Sequence, residues 1–185
     1  MGTDKAFLEF SGRSLLMNAL ELAQSVTPAV RIVGDPSKFS EFGITVEDVY
    51  PDRGPLGGIH AALVSSATDM NLVVGVDLPL LEAGFLQYLV LAAQGFHALV
   101  TVPRVAGYYE PLCAVYRKEF GALADEALAA NRNKVDALFS NIPLCVVPDE
   151  TLAQHGFSPA MFRNVNTPED WKQVEEAFAN RAARL

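Results

Sequence analysis

The stretch Asn71-Leu-Val-Val-Gly-Val-Asp-Leu-Pro-Leu80 constrains the fold more than any other part of the chain. Leu72, Val73, Val74 and Val76 run without polar alternation, as in a strand covered on both faces within a parallel sheet of an α/β protein. Asp77 and Pro79 then end the run. In open α/β sheets ligands bind outside the carboxyl ends of the strands, so a carboxylate held there is placed to grip a divalent cation. Taken alone, an Asp-x-Pro is by default a helix cap, here for residues 80–82. Asp77 rises above that default through its company: Lys5 near the start, Gly54-Pro-Leu-Gly-Gly58 before it, and Asn164-Val-Asn-Thr-Pro-Glu-Asp170 near the end.

Around this strand the pattern alternates. Leu15, Leu16, Ala19, Leu22 and Ala23 fall at helical spacing behind Ser14, which is available as a cap. Strands are predicted over residues 30–33, 44–46, 72–76, 97–102 and 144–147, with helices over 59–65, 85–93, 118–130 and 134–139. Residues 48–58 read as a loop from their Pro and Gly content. The aromatic run 108–116 is too long for a parallel strand of this kind and predicts an extended or antiparallel one, with Tyr116 in the core or a pocket wall. Residues 162–165 read as a short strand. Thr167-Pro-Glu-Asp170 reads as the start of a final helix, with Pro at its first position.

With 185 residues, half of them hydrophobic, the chain can bury a substantial core, and a single domain over residues 1–185 is expected. A net charge of −8 excludes nucleic acid or membrane binding through a broad basic face; a small anionic substrate must be met locally. Cys113 and Cys145 sit in apolar runs, which predicts buried thiols of a reducing, cytoplasmic compartment rather than a disulfide or a nucleophile. His60, His97 and His155 lack the spacing of a zinc site. Charges interrupt both the first ten residues and the apolar region 72–102, so neither a signal peptide nor a membrane span is expected.

Five pieces occur in order along essentially the whole chain: Met1-Gly-Thr-Asp-Lys-Ala6, Gly54-Pro-Leu-Gly-Gly58, Val76-Asp-Leu-Pro79, Glu110-Pro-Leu-Cys-Ala-Val-Tyr116 and Phe162-Arg-Asn-Val-Asn-Thr-Pro-Glu-Asp170. Together they resemble the molybdenum cofactor guanylyltransferase family, within the Rossmann-like nucleotidyltransferases. The resemblance implies a three-layer α/β fold whose sheet is mostly parallel with one antiparallel strand. It also implies transfer of GMP from GTP to molybdopterin with Mg²⁺ and release of pyrophosphate, by a monomer or weak homo-oligomer. Lys5 would lie beside the triphosphate and Asp77 would hold Mg²⁺, as the two catalytic residues. Asp48 would contact the nucleotide, with Asp52 four residues on as the alternative in a loop of variable length; Gly54, Gly57 and Gly58 would let backbone approach it, and Asn164 and Asn166 would face the pterin. On the residues alone, Lys5 is a solvated lysine, the glycines are turn chemistry and Asn166-Thr167 begins the last helix. A CTP-using molybdopterin transferase, another small nucleotidyltransferase of this fold, and a non-catalytic nucleotide-sensing or partner-binding descendant stand as alternatives.

The family opens with a strand and a Leu-x-Gly-Gly-x-Ser-x-Arg-Met-Gly loop, and this chain begins at the Met-Gly that closes that loop. The resemblance therefore implies that the first, central strand is missing from between residues 30–33 and 72–76. A start roughly 15–20 residues upstream is the corresponding expectation.

Overall fold

The apolar run at the heart of the sequence does form a strand, and helices cover both faces of the sheet it belongs to. The computed structural model describes residues 4–182. Lys5–Phe7 makes one 3-10 turn capped by the Asp4 carboxylate, which accepts from the Ala6 N–H at 3.2 Å. A small antiparallel hairpin of β1 (Glu9–Phe10) and β2 (Arg13–Ser14) leads into α1 (Leu15–Gln24). Ser14 caps that helix as expected, its hydroxyl accepting from the Met17 N–H at 3.2 Å. There follow β3 (Ile32–Val33), α2 (Pro36–Phe39), β4 (Thr45–Val46), α3 (Gly54–Ser65), β5 (Met70–Val74) and α4 (Ala83–Gly95). The second half holds β6 (Val100–Val105), β7 (Tyr108–Tyr109), β8 (Cys113–Arg117), α5 (Phe120–Ala129), α6 (Asp136–Phe139), β9 (Leu144–Pro148), α7 (Asp149–Gln154), a 3-10 turn (Pro159–Phe162) and α8 (Pro168–Ala182).

The larger sheet places β8 between β5 and β6, antiparallel to both, with β9 parallel on the other side of β6 and β7 folded back on its end. Hence β5, β6 and β9 share one direction, and β8 is the antiparallel strand among them. Alternate residues feed the two faces. Cys113 and Val115 pack with Phe85, Leu86 and Leu89 of α4, while Ala114, Tyr116, Val100 and Val102 pack with Leu56 and Ile59 of α3 and Phe120 of α5. Each such buried Leu or Phe contributes about 1.5–3 kcal/mol. Tyr116 is core, its hydroxyl donating to the Pro111 carbonyl at 2.8 Å. Cys113 is a buried free thiol whose pKa burial pushes up, and Cys145 is half-buried and free. No helix among the described residues is long and apolar enough to cross a membrane.

Several elements differ from the sequence expectations. Residues 108–116 are not one strand: Pro111 cannot donate to a ladder, and the Cys113 N–H turns back to the Glu110 carbonyl at 2.9 Å, separating β7 from β8. Residues 162–165 are not a strand, because Phe162 closes a 3-10 turn. Residues 54–58 are helix rather than loop: Gly54 enters α3 with φ +62° and Pro55 has the fixed φ of a first turn. α7 has no counterpart among the predicted helices.

β3 and β4 form a separate parallel pair, with the Ile32 N–H bonded to the Ile44 carbonyl at 2.8 Å and the Gly34 N–H to the Val46 carbonyl at 2.9 Å. Those bonds turn the backbone groups of Val33 to the opposite side. On β5, the Gly75 N–H reaches the Leu112 carbonyl at 2.6 Å, and the Asp69 carbonyl accepts from Lys118 at 2.6 Å. By strand alternation, Leu72 and Val74 face away from β8. No ladder joins β3 to β5 among the described residues, although α3 packs on both. A cavity of ≈530 Å³ lies at the end of β5, between Val74 and Val76 and the α1 residues Leu15, Asn18 and Leu22.

Candidate active site

Asp77 lies just beyond Val74, the last residue of β5, and is half-buried. Gly75 makes room for it, since a Cβ there would stand 2.8 Å from Asp77 Oδ1 and 3.2 Å from Leu112 Cβ. The carboxylate accepts no hydrogen bond from any described residue. It does not cap a helix: the Leu81 N–H goes to the Leu78 carbonyl, and α4 begins at Ala83 with Glu82 as its N-cap.

Two bonds tie Asp77, Lys5 and the Asn164–Asn166 segment to one another. The Asp77 carbonyl accepts from the Val165 N–H at 3.0 Å, which presses the Asn164–Asn166 segment against the strand end. Lys5 Nζ donates to Asn166 Oδ1 at 2.5 Å, across 161 positions of sequence. Asp170 fixes the segment from the other side, its carboxylate accepting from the Asn166 N–H at 3.0 Å and the Thr167 N–H at 2.8 Å. Those N–H bonds hold the Asp170 pKa below the usual carboxylate value, and the Thr167 hydroxyl accepts from the Asp170 N–H at 3.1 Å, completing a reciprocal cap of α8. Beside it Asn164, Asn166, Arg163 and Gln173 line a polar cavity of ≈250 Å³. Lys5, Asp77, Asn164 and Asn166 are thus brought together. The larger cavity beside β5 includes none of them.

Asp48 and the glycines occupy a second region. Asp48 follows β4 and is half-buried; its Oδ1 is shielded from solvent without a hydrogen-bond partner, 4.0 Å from the position a Cβ would take on Gly58. Burial first, then the charge of Asp52, raises its pKa. Gly54, Gly57 and Gly58 stand in the first turns of α3. A Cβ on Gly57 would lie 3.0 Å from the Tyr50 carbonyl oxygen, so the close approach that Gly57 permits is that of the preceding loop. No hydrogen bond or ion pair among the described residues links this region to Asp77 or Lys5.

Glu110, in the turn before β8, was not singled out as a site residue from sequence. Burial, then the charges of Asp77 and of Asp136, raise its pKa to about 7. The signal available in sequence was only its place before Pro111-Leu112. Among the described residues no three His, Cys, Asp or Glu side chains group as a metal cage. The free Asp77 carboxylate fits instead a Mg²⁺ ion held by one or two carboxylates, water and substrate phosphates.

Comparison with known proteins agrees with this frame. The model of the MobA-like NTP transferase domain matches residues 1–142. The "Probable molybdenum cofactor guanylyltransferase" of Pyrococcus furiosus is 33% identical over 180 residues, covering 94% of this chain and 89% of that protein. The molybdenum cofactor guanylyltransferase of Syntrophotalea carbinolica is 28% identical over 177 residues, covering 94% and 83%. Among solved structures, molybdopterin-guanine dinucleotide biosynthesis protein A from Archaeoglobus fulgidus superposes with a TM-score of 0.83 at 23% identity, covering 97% of this chain and 92% of that one, a likeness of fold. With an α/β nucleotidyltransferase fold and a family match over most of its length, the chain belongs to the MobA-like NTP transferase family.

Proposed function

We propose that this chain, acting as one domain, transfers the GMP unit of GTP to molybdopterin and releases pyrophosphate. The observation that carries the reading is the pair of bonds gathering Lys5, Asp77 and the two asparagines: Val165 N–H to the Asp77 carbonyl and Lys5 Nζ to Asn166 Oδ1. Relatives named as molybdenum cofactor guanylyltransferases support the substrate pair. In the reaction an oxygen of the acceptor's phosphate attacks the α-phosphorus of GTP, and the bond to the pyrophosphate oxygen breaks. Such a step needs in-line positioning and charge neutralisation more than a protein nucleophile.

Lys5 supplies a positive charge beside the triphosphate, while Asn166 fixes the direction of its side chain. Asp77 is the ligand for Mg²⁺, which when bound neutralises charge on the phosphate oxygens. The amides of Asn164 and Asn166 offer both donors and acceptors to the pterin. Asp48 Oδ1, shielded and without a partner, accepts from a hydroxyl or N–H of the nucleoside, and Gly58 leaves α3 open beside it. An orphaned buried acceptor costs about 1–3 kcal/mol, which such a ligand bond would offset.

Calorimetric titration with GTP and with CTP, each with Mg²⁺, tests the nucleotide choice. Tighter binding of GTP is the expected result. Equal binding of the two, or binding of CTP alone, would contradict it.

A further inference from the structure

We infer that the Tyr50 hydroxyl, anchored on Asp125 of α5, is a positioning group that sets the loop carrying Asp48 against the bound nucleoside. This rests on the reading of Asp48 as a nucleoside contact. Residues 47–53 join β4 to α3, and within them the Asp48 carboxylate makes no hydrogen bond of its own with any described residue. Its position is therefore set by what holds its neighbours. Tyr50 is held through its hydroxyl, and its backbone lies close against α3. Its hydroxyl donates to Asp125 Oδ1 at 2.8 Å, and its carbonyl oxygen stands 3.0 Å from where a Gly57 Cβ would be. Beyond it Asp52 takes a left-handed φ of +61°, a conformation an L-residue keeps only where its surroundings impose it.

His60 completes the anchor. It is 4% exposed on the face of α3 that also buries Leu56, Ile59 and Leu63, where an apolar side chain would cost less to bury. Its ring meets Tyr50 edge-on with centroids 5.3 Å apart, and Nε2 lies 3.4 Å from the same Asp125 Oδ1. Nδ1 has no hydrogen-bond partner. The loop is thereby referenced to α5, which packs on α3. Because Tyr50 is two residues from Asp48, and no hydrogen bond or ion pair among the described residues ties Tyr50, His60 or Asp125 to Lys5 or Asp77, the anchor acts on the nucleoside and not on the phosphates.

The test compares GTP with inorganic tripolyphosphate, each with Mg²⁺, by calorimetry on the parent chain and on Tyr50→Phe, Asp125→Ala, Asp125→Asn and Asp48→Ala. Tyr50→Phe and Asp125→Ala should weaken GTP about five- to tenfold, the scale of one hydrogen bond, and leave tripolyphosphate within about twofold. Asp125→Asn keeps an acceptor oxygen and should restore most of the affinity. In an Asp48→Ala background, which has no acceptor at that position, Tyr50→Phe should add little, because both changes act through the same contact. Unchanged GTP binding by Tyr50→Phe, or an equal loss of GTP and tripolyphosphate, overturns the inference while leaving the nucleotide reading standing. A parent chain that ignores GTP, or an Asp48→Ala variant that binds it as the parent does, overturns both.

Discussion

Glu110 is the carboxyl group most displaced from its ordinary behaviour beside the candidate site. Its pKa rises from 4.5 to about 7, so the folded chain binds more protons than the unfolded one between those values. Stability that is fully present below pH 4.5 is therefore lost as the pH rises through about 7. Glu110→Gln should lack this loss and be more stable than the parent at pH 8 by about 1–2 kcal/mol, a figure discounted because the side chain is only half-buried. Thermal melts at pH 4 and pH 8 check it; a variant no more stable than the parent at pH 8 would refute the burial argument. Asn164 and Asn166 are tested by affinity. Asn164→Ala should weaken molybdopterin binding much more than GTP binding, whereas equal losses would assign Asn164 to the approach to α8 alone; Asn166→Ala, which also releases Lys5 Nζ, should weaken both.

At the scale of elements, α3 gives a pair of opposed outcomes. Gly57→Ala gains about 1 kcal/mol of helix propensity but drives its methyl to 3.0 Å from a backbone oxygen that cannot rotate away. A net loss of about 1 kcal/mol is expected in denaturant titrations. Gly58→Ala meets nothing closer than 3.9 Å and should gain about 0.5–1 kcal/mol; matching signs for the two would show that the loop yields. The same helix shows what sequence could and could not disclose. Long apolar runs such as residues 72–76 and 85–93 carried their own signal, and so did the Ser14 cap. Three glycines and a proline read as loop because local propensity was the only guide, whereas burial of Leu56 and Ile59 decided for helix. Lys5, Asp77, Asn164 and Asn166 were legible as a set through their motifs. The Tyr50, His60 and Asp125 cluster was not, because it joins a loop to two helices and no local pattern encodes such a meeting.

On the scale of the whole molecule, the β3–β4 pair and the larger sheet both pack on α3, and no ladder joins them among the described residues. Unpaired strand edges are templates for further pairing, so the chain on its own should self-associate through them as its concentration rises. Hydrogen exchange offers a finer reading: at low concentration the Leu72 and Val74 amides, facing away from β8, should exchange much faster than those of Asn71 and Val73, which face it. Equal protection along β5 would mean that this edge is already paired. The proposed function rests on the carboxylate at the end of that strand. The most direct measurement is formation of the guanine dinucleotide from molybdopterin and GTP with Mg²⁺, by the parent chain and by Asp77→Asn at matched thermal stability. The account predicts product and pyrophosphate in equal amounts from the parent and a loss of at least about a hundredfold in the variant, because the amide keeps the shape but not the charge that holds the metal. Undiminished turnover by Asp77→Asn would contradict it.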